Sequence, residues 1–380
     1  MIGVDRLQHS VHLVLVVLAS RREPVGDVGE QREPTTLCGR DRLEAAVAEE
    51  RRQIRRATKT RTANIVSFRP LHPCDDTRAV PIGALPKRIS IVEVAPRDGL
   101  QAEERILPTE AKLHLLDRLA DAGHTVIEAT SFVSPAAVPQ LADAEDLMRR
   151  LRPRRGVRYP VLVPNEKGLD RALGCGVREA AIFASASESY SRKNLNRSRD
   201  EAIEAYRPVV RRAKDGGLRV RAYLSMVVAD PWDGPTPTSV AVEAGRRLLD
   251  LGCDELSLGD TIGVGTPREI VALIAAFRAA GIATERIALH LHDTYGQALA
   301  NAFAAMAEGV TIFDASAGGI GGSPFAKMAG GNLATEDLLW MCNGLGVATG
   351  VDVQAVVGAS RWLGEQLGHD LPGHVSRALV

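Results

Sequence analysis

The segment Ile287-Ala288-Leu289-His290-Leu291-His292-Asp293 is an apolar run that ends in two histidines and an aspartate. A short run of this kind predicts a buried strand. Because side chains alternate between the two faces of a strand, His290 and His292 point the same way and stand close enough to hold one cation. Two histidines packed in a core give the same pattern, so the rest of the chain must decide between a site and plain packing.

A strand–helix alternation starts at Arg88 and continues on both sides of this segment. Its eight expected strands cover residues 89–94, 125–129, 158–163, 179–184, 218–224, 255–258, 287–292 and 311–315. Helices are expected between them, among others at residues 109–122, 138–151, 197–214, 239–251 and 267–280. Eight strands alternating with helices are typical of an α/β fold, the (β/α)8 TIM barrel, whereas a six-stranded doubly wound sheet leaves two strands over.

We expect three regions along the chain. Residues 1–87 combine arginine clusters and scattered prolines with little periodicity, which predicts a flexible, disordered N-terminal extension. Translation from an upstream start codon also explains such a segment. Residues 88–317 form the barrel. Residues 318–380 supply a glycine-rich catalytic loop and extra C-terminal helices at the barrel mouth, at about 334–345 and 353–367.

Composition excludes several classes of protein. The 380 residues carry 47 basic and 47 acidic side chains, so no bulk attraction to nucleic acid or to an anionic membrane is expected. The apolar run at residues 11–19 is too short to span a bilayer, and acidic residues among the nearby arginines argue against a transit peptide. The five cysteines form no CxxC pair, which fits a reducing cytoplasm.

Polar side chains follow four of the expected strands at the end where each strand stops. Asp98 follows the first strand, Glu128 ends the second, Asp260 follows the sixth, and His290 and His292 end the seventh. Barrel enzymes carry their chemistry at the carboxyl ends of the strands. These residues therefore favour a site at one rim of the barrel over plain packing.

One carboxylate and two imidazoles form a mixed ligand set in Asp98, His290 and His292. The set suits Mg2+ or Mn2+ with open coordination positions, although ligand type alone also admits zinc or iron. Such a cation lowers the pKa of a substrate hydroxyl and polarises a carbonyl. The neighbouring Arg97 carries a fixed guanidinium suited to an enolate oxygen. The alternative for Arg97 and Asp98 is a surface ion pair, which contributes little.

Five blocks of sequence carry a family resemblance. They are Arg97-Asp98-Gly99-Leu100-Gln101, Val126-Ile127-Glu128-Ala129-Thr130-Ser131-Phe132-Val133-Ser134-Pro135, Ser257-Leu258-Gly259-Asp260-Thr261-Ile262-Gly263, His290-Leu291-His292-Asp293-Thr294-Tyr295-Gly296-Gln297 and Gly331-Asn332-Leu333-Ala334-Thr335-Glu336-Asp337. In this order they resemble the 3-hydroxy-3-methylglutaryl-CoA lyases, a family of metal-dependent TIM-barrel enzymes. The resemblance runs from about Ile89 to Leu367, and residues 1–87 take no part in it.

The resemblance implies a cation site and a reaction. A divalent cation, Mg2+ or Mn2+, would be held by Asp98, His290, His292 and Asn332. The implied reaction is the retro-Claisen cleavage of hydroxymethylglutaryl-CoA to acetyl-CoA and acetoacetate. The expected partner is therefore a small-molecule acyl-CoA, and a homodimer is left open.

The resemblance also implies roles for residues around the cation. Arg97 would stabilise the enolate of acetyl-CoA. Glu128 and Asp260 would form an acidic rim that supports substrate binding or proton transfer. Glu336 lies one helical turn after Asn332 and would act from behind it.

Ser323 departs from the family pattern, which has a cysteine at this position of the glycine-rich loop. A thiol has a reference pKa of about 8.5 and exchanges protons near neutral pH, whereas a hydroxyl is a much weaker acid. None of the five cysteines lies in this loop. The change leaves the fold and the cation site in place and weakens the substrate assignment.

Several alternatives stay open at this point. The first is a lyase for a related branched hydroxyacyl-CoA such as citramalyl-CoA. The second is a catalytically weak homologue that binds metal and CoA but lacks the thiol. A condensing enzyme such as isopropylmalate or homocitrate synthase is disfavoured, because too few residues follow Glu336 for its regulatory domain.

The segment Arg192-Lys193-Asn194 follows the fourth strand, where cationic side chains can meet the phosphates of CoA. A solvated loop explains the same residues equally well.

Overall fold

The computed structural model describes residues 84–322 and 330–379. Its strands are β1 (Ser90–Glu93), β2 (Val126–Ile127), β3 (Thr130–Ser131), β4 (Val161–Leu162), β5 (Glu179–Ser185), β6 (Arg219–Ser225), β7 (Ala229–Asp230), β8 (Gly234–Pro235), β9 (Glu255–Asp260), β10 (Ile287–Leu291) and β11 (Ile312–Ala315). All of them pair in parallel, except β7 and β8, which form a small antiparallel hairpin.

The large sheet closes into a barrel. Its hydrogen-bonded order is β2-β1-β11-β10-β9-β6-β5-β4-β3, so the two ends of the series are consecutive pieces of one interrupted strand. The backbone N–H of Ile127 donates to Arg158 at 3.0 Å and that of Ala129 to Pro160 at 2.9 Å, which joins the interrupted strand to the β4 side. Counted this way, the ring has the eight strand positions predicted from the sequence, and the TIM barrel is confirmed.

Helices follow the strands around the ring. They are α1 (Thr109–Asp121), α2 (Ala144–Arg150), α3 (Glu166–Leu173), α4 (Glu188–Leu195), α5 (Arg199–Ala205), α6 (Arg207–Asp215), α7 (Thr238–Asp250), α8 (Pro267–Ala279), α9 (Ala298–Ala307), α10 (Thr335–Leu345), α11 (Val353–Leu367) and α12 (His374–Ala378). The two expected C-terminal helices are present as α10 and α11. No helix in these two ranges of the chain has the length and apolar character needed to cross a membrane.

Two of the helices expected from the sequence are interrupted. The segment 197–214 forms α5 and α6 with a break at Tyr206, because Pro208 in the first turn of α6 has no N–H to donate to the preceding turn. The segment 138–151 begins with a 3-10 turn, Pro139–Leu141, before α2. The loop alternative for the segment after the fourth strand is wrong: α4 begins there, and the Ser187 hydroxyl accepts the N–H of Tyr190 at 3.0 Å.

The main apolar core lies between the strand ring and the helices, and α11 packs against α1 to continue it. The interior of the ring has a different composition. It contains two small apolar clusters, around Val92 and around Leu162, and a buried charged group formed by Arg221, Glu255 and Asp314. Charged side chains inside a barrel need partners, and these have them. Residues 1–83, most of the expected N-terminal extension, lie outside the described residues.

Candidate active site

A π-helical turn, Ala95–Gly99, follows β1 and places two charged side chains at the barrel mouth. Arg97 is 5% exposed, and its Nη1 donates to the Oδ1 of Asp98 at 2.7 Å. Although π-helical turns are rare in proteins, those that occur are frequently found at functional sites. Sequence reasoning treated Arg97 and Asp98 as neighbours after a strand; the turn brings both of them to the same cavity.

Arg97 is held from below by Glu128, which lies in the gap between β2 and β3. The Oε2 atom of Glu128 accepts the Nε–H of Arg97 at 2.7 Å and the phenol of Tyr223 at 3.0 Å. The guanidinium also lies 5.2 Å from the ring centre of Tyr223. Burial raises the pKa of Glu128, although Arg97 opposes this shift. Glu128 does not line the cavity and orients Arg97 instead.

His290 and His292 lie at the end of β10 with their ring centres 5.1 Å apart, as the alternation of side chains predicted. The Nδ1 of His290 is 3.2 Å from Asp314, and the Nδ1 of His292 is 3.0 Å from the carbonyl oxygen of Gly330. In both rings this leaves Nε2 as the atom available to the cavity. Burial and the neighbouring His290 lower the pKa of His292 to about 4, so its imidazole is neutral at pH 7.

Asn332 joins these residues from a distant part of the chain. Its backbone pairs with His292 in an isolated antiparallel bridge, and its side-chain amide donates to the Oδ2 of Asp98 at 2.8 Å. The Oδ2 of Asp98 is also 3.7 Å from the Nε2 of His290. The four side chains that the sequence assigned to one cation are therefore brought together.

The donor atoms of this cluster fit a hard divalent cation. The amide oxygen of Asn332 is buried and has no hydrogen-bond partner among the described residues, and burial of an unpaired polar atom is costly. Although burial opposes its ionisation, Arg97 and the histidines hold the pKa of Asp98 below its usual range. Within the described ranges no trio of His, Cys, Asp or Glu side chains is already arranged as a ligand set. Two features of the cluster account for this: one of the four expected ligands, Asn332, is an amide, and the carboxylate of Asp98 is hydrogen-bonded to Arg97 and Asn332.

The cluster opens into a cavity of about 550 Å3. Its wall includes Arg97, Asp98, His290, His292 and, on the α4 side, Asn194. Apolar side chains such as Leu162 and Phe183 form much of the remainder. A cavity of this size, apolar with a few convergent polar groups, is the usual form of a small-molecule site.

The three residues expected to contact CoA face different ways on α4. Asn194 lines the cavity, and Lys193 places its Nζ 3.9 Å from the ring centre of Trp232, which is 43% exposed. Arg192 pairs with Glu188 at 2.8 Å on the exposed surface of the helix and is not among the cavity-lining residues. The structure thus brings Asn194 to the cavity and leaves Arg192 outside it.

Two further predicted residues, Asp260 and Glu336, lie apart from the cluster. Asp260 does not line the cavity: its Oδ2 accepts the N–H of Gly265 at 2.9 Å, and burial raises its pKa to about 6. Glu336 is buried behind Asn332 and accepts the N–H of Gly318 at 3.0 Å. Ser323 lies outside the described residues, so its predicted role stays a prediction.

Sequence reasoning missed Tyr223 and Asp314. Both lie in strands that were predicted correctly, but neither follows a strand end. A detectable signal existed, because Arg221 and Asp314 are charged residues inside otherwise apolar strands. Their pairing depends on how the strands align in the barrel, which the linear sequence does not reveal.

Comparisons with known proteins agree with this geometry. The HMGL-like family model matches residues 88–363. Hydroxymethylglutaryl-CoA lyase of Arabidopsis thaliana, named as mitochondrial, is 49% identical over 284 residues; these cover 75% of this chain and 60% of that protein. The chain thus spans less than two thirds of that relative.

Two solved structures extend the similarity to the fold. Hydroxymethylglutaryl-CoA lyase from Pseudomonas aeruginosa superposes with a TM-score of 0.76 at 45% identity, covering 78% of this chain and 98% of that one. A lyase from Acinetobacter baumannii, in complex with coenzyme A and 3-methylmalate, has a TM-score of 0.74 at 33% identity, covering 77% and 95%. The resemblance read from the five sequence blocks is confirmed, and this chain belongs to the HMGL-like family.

Proposed function

We propose that the protein is a divalent-metal-dependent carbon–carbon lyase that cleaves hydroxymethylglutaryl-CoA to acetyl-CoA and acetoacetate. The observation that carries the proposal is the convergence of Arg97, Asp98, His290, His292 and Asn332 at the mouth of a barrel of this family. The named activity of the relatives supports the choice of substrate.

In the proposed reaction the 3-hydroxyl of the substrate gives up its proton and the bond between C2 and C3 breaks. The electron pair of that bond enters the thioester carbonyl and forms an enolate, while C3 becomes the ketone of acetoacetate. The enolate then takes a proton at C2 and becomes acetyl-CoA. Because negative charge develops on the thioester oxygen, a fixed cationic donor near that oxygen accelerates the reaction.

Arg97 supplies this donor. Its Nε and Nη1 are committed to Glu128 and Asp98, whereas its Nη2 donates to no acceptor in the described part of the chain. Although burial disfavours the charged guanidinium, Glu128 and Asp98 raise the pKa of Arg97, so it stays cationic. A guanidinium with two fixed bonds does not reorganise when charge develops on the substrate.

The divalent cation, Mg2+ or Mn2+ in our proposal, would be held by Asp98, His290, His292 and Asn332. When bound, it would acidify the substrate hydroxyl and polarise its carbonyl oxygen. The protein's own part is to orient both imidazoles and to keep that of His292 neutral. The carbonyl of Gly330 orients His292 at 3.0 Å, and Asp98 stays ionised beside Arg97. The family position of Ser323 makes that hydroxyl our proposed participant in proton transfer.

The acyl-CoA would enter over α4. Asn194 lines the cavity, and the preceding residue on α4, Lys193, carries a positive charge over the ring of Trp232. An ammonium group at this position suits a CoA phosphate. The complex of the Acinetobacter baumannii lyase contains coenzyme A, which supports this class of ligand. The homodimer and the cytoplasmic location stay predictions.

The test is turnover of hydroxymethylglutaryl-CoA by the purified protein with added Mn2+ or Mg2+, measured as acetoacetate formed. Citramalyl-CoA is assayed in parallel. We expect cleavage of the first thioester, and its loss in His292→Gln. The matched control is His369→Gln, which changes an exposed histidine that does not line the cavity and should keep the activity. Cleavage of citramalyl-CoA alone would contradict the proposal, as would no cleavage with either metal.

A further inference from the structure

Asp314 is a buried carboxylate inside the barrel that contacts the candidate cation cluster from below. It lies on β11 directly beside His290 of β10 in the strand register, and it is 1% exposed. One carboxylate oxygen, Oδ1, accepts the Nη2–H of Arg221. The other, Oδ2, accepts the hydroxyl of Ser257 at 2.8 Å and lies 3.2 Å from the Nδ1 of His290.

The other partners of Asp314 determine which atom holds the proton in its contact with His290. Arg221 and Ser257 are both donors, and an ionised carboxylate is an acceptor only. The hydrogen between Asp314 and His290 therefore belongs to the Nδ1 of the imidazole. In a neutral imidazole one nitrogen carries the hydrogen and the other carries a lone pair. The lone pair of His290 is then on Nε2, the atom that faces Asp98 at 3.7 Å.

We propose that Asp314 is a positioning residue: it fixes His290 in the tautomer with hydrogen on Nδ1 and presents the Nε2 lone pair to the cation. The part that concerns the cation rests on the proposed function. Carboxylates that orient ligating histidines in this way are worth about 10–100-fold in metal affinity. The Nδ1 of His292 instead meets a backbone group, the carbonyl oxygen of Gly330.

A purely structural role is the competing explanation, because Asp314 also neutralises the buried Arg221. A substitution of Glu255 distinguishes the two roles, because Glu255 also pairs with Arg221. Its Oε1 is 3.0 Å from the Nε of the same arginine, it is buried, and it has no contact with His290 among the described residues. Asp314→Asn and Glu255→Gln make the same chemical change in the two carboxylates that pair with Arg221. Only the first puts an amide beside His290, where an N–H donor would favour the wrong tautomer.

The first measurement reads the tautomer without any metal. Protein with nitrogen-15 in its histidines gives imidazole nitrogen–proton correlations that distinguish the two tautomers, and His290→Gln assigns the signal. We expect hydrogen on Nδ1 in the unmodified protein and in Glu255→Gln, and loss of this pattern in Asp314→Asn. The spectrum is recorded at a pH high enough for His290 to be neutral, because the protonated ring carries hydrogen on both nitrogens. Hydrogen on Nε2 instead of Nδ1 in the unmodified protein would overturn the proposal, and this measurement holds even if a variant fails to fold.

The second measurement is Mn2+ binding, by calorimetry or by electron paramagnetic resonance. We expect the Kd to rise about 10–100-fold in Asp314→Asn and to change less than about twofold in Glu255→Gln. Equal effects of the two variants would overturn the proposal in favour of the structural role. Absence of Mn2+ binding by the unmodified protein would instead contradict the proposed function, and the tautomer spectrum would still decide the role of Asp314.

Discussion

Two sides of the cavity are held by different kinds of interaction. On the strand side, Arg97, Asp98, His290 and His292 are buried or nearly so, and each has a fixed partner. On the helix side, Arg192 forms an exposed ion pair and Lys193 lies over the exposed ring of Trp232. Exposed pairs contribute little, whereas a charge left buried without its partner is costly. We therefore expect substitutions on the strand side to lower both stability and turnover. Substitutions on the helix side should mainly lower the affinity for the substrate.

The largest effect is expected on stability, from Arg221→Met. This change leaves Asp314 buried without its cation, and we expect the free energy of unfolding to fall by about 3–5 kcal/mol. The measurement is urea unfolding followed by circular dichroism. Arg212→Met is the control, because Arg212 pairs with Asp170 on the surface and should cost less than about 1 kcal/mol. Similar losses of unfolding free energy in both variants would show that buried and exposed ion pairs do not differ in their contribution to stability.

The next largest effect concerns turnover, in Arg97→Gln. Loss of the fixed cationic donor should lower kcat by about 10²–10³-fold, as for other donors aimed at a developing oxyanion. Steady-state kinetics with hydroxymethylglutaryl-CoA measure this effect. Arg192→Gln is the matched control on the helix side and should leave kcat nearly unchanged. A rise in KM alone, with kcat intact, would show that Arg97 binds the substrate without acting specifically on the transition state.

The third prediction uses pH to probe a buried acid. Burial raises the pKa of Glu93 from 4.5 to about 7, despite the N–H groups of Ala95 and Ala317 that it accepts. The folded protein therefore binds this proton more tightly than the unfolded chain does. The stabilisation is present below pH 4.5 and is lost as the pH rises to about 7.

Glu93→Gln tests this expectation, because the amide cannot titrate. The difference in unfolding free energy between the unmodified protein and the variant should decline between pH 4.5 and 7, by no more than about 3 kcal/mol. The buried His124 does not titrate in this pH range, because burial lowers its pKa to about 3. A difference that does not change with pH would show that Glu93 titrates as an exposed carboxyl does.

The fourth prediction is a gain. Ser323→Cys restores the residue type that the family has at this position of the glycine-rich loop, and a thiol exchanges protons more readily than a hydroxyl. We expect turnover to rise by about tenfold or more, within the usual range for general acid–base groups. Mn2+ content, measured by atomic absorption, should not change. Unchanged turnover in the variant of an active enzyme would assign proton transfer to another group.

The smallest effect is expected on the helix side. Lys193→Gln removes the charge over Trp232 and should raise KM for the acyl-CoA about two- to fivefold, with kcat nearly constant. Arg192→Gln should change neither value. If Arg192→Gln raised KM as much as Lys193→Gln does, both cations would contact the coenzyme, as the sequence first indicated.

Periodicity predicts all eight strand positions, because each strand is a short apolar run between polar segments. It does not predict the break in the second strand, where Glu128 lies between β2 and β3 and its carboxylate accepts the Nε–H of Arg97. The sequence does not distinguish helix α4 from a loop, because most of its residues are polar and no helical period of apolar residues is visible. The Ser187 cap was the available signal.

The candidate site was predicted where residues follow strand ends, and missed where a role depends on strand register. Asp98, His290 and His292 follow strand ends, and Asn332 came from the family resemblance. Asp314 and Tyr223 lie within strands, and only the alignment of β11 with β10 and of β6 with β9 places them beside the cluster. Asp260 was expected at the rim because it ends a strand, yet its carboxylate turns to Gly265.

The charged group inside the barrel has a consequence for protein engineering. Arg221, Glu255, Ser257, His290 and Asp314 come from four neighbouring strands and are linked to one another by ion pairs and hydrogen bonds. A mutant library that varies Arg221 would leave Asp314 buried without its cation and would recover mostly destabilised protein. A new specificity at the barrel mouth is better sought by leaving these five residues intact and diversifying the apolar wall around Phe183.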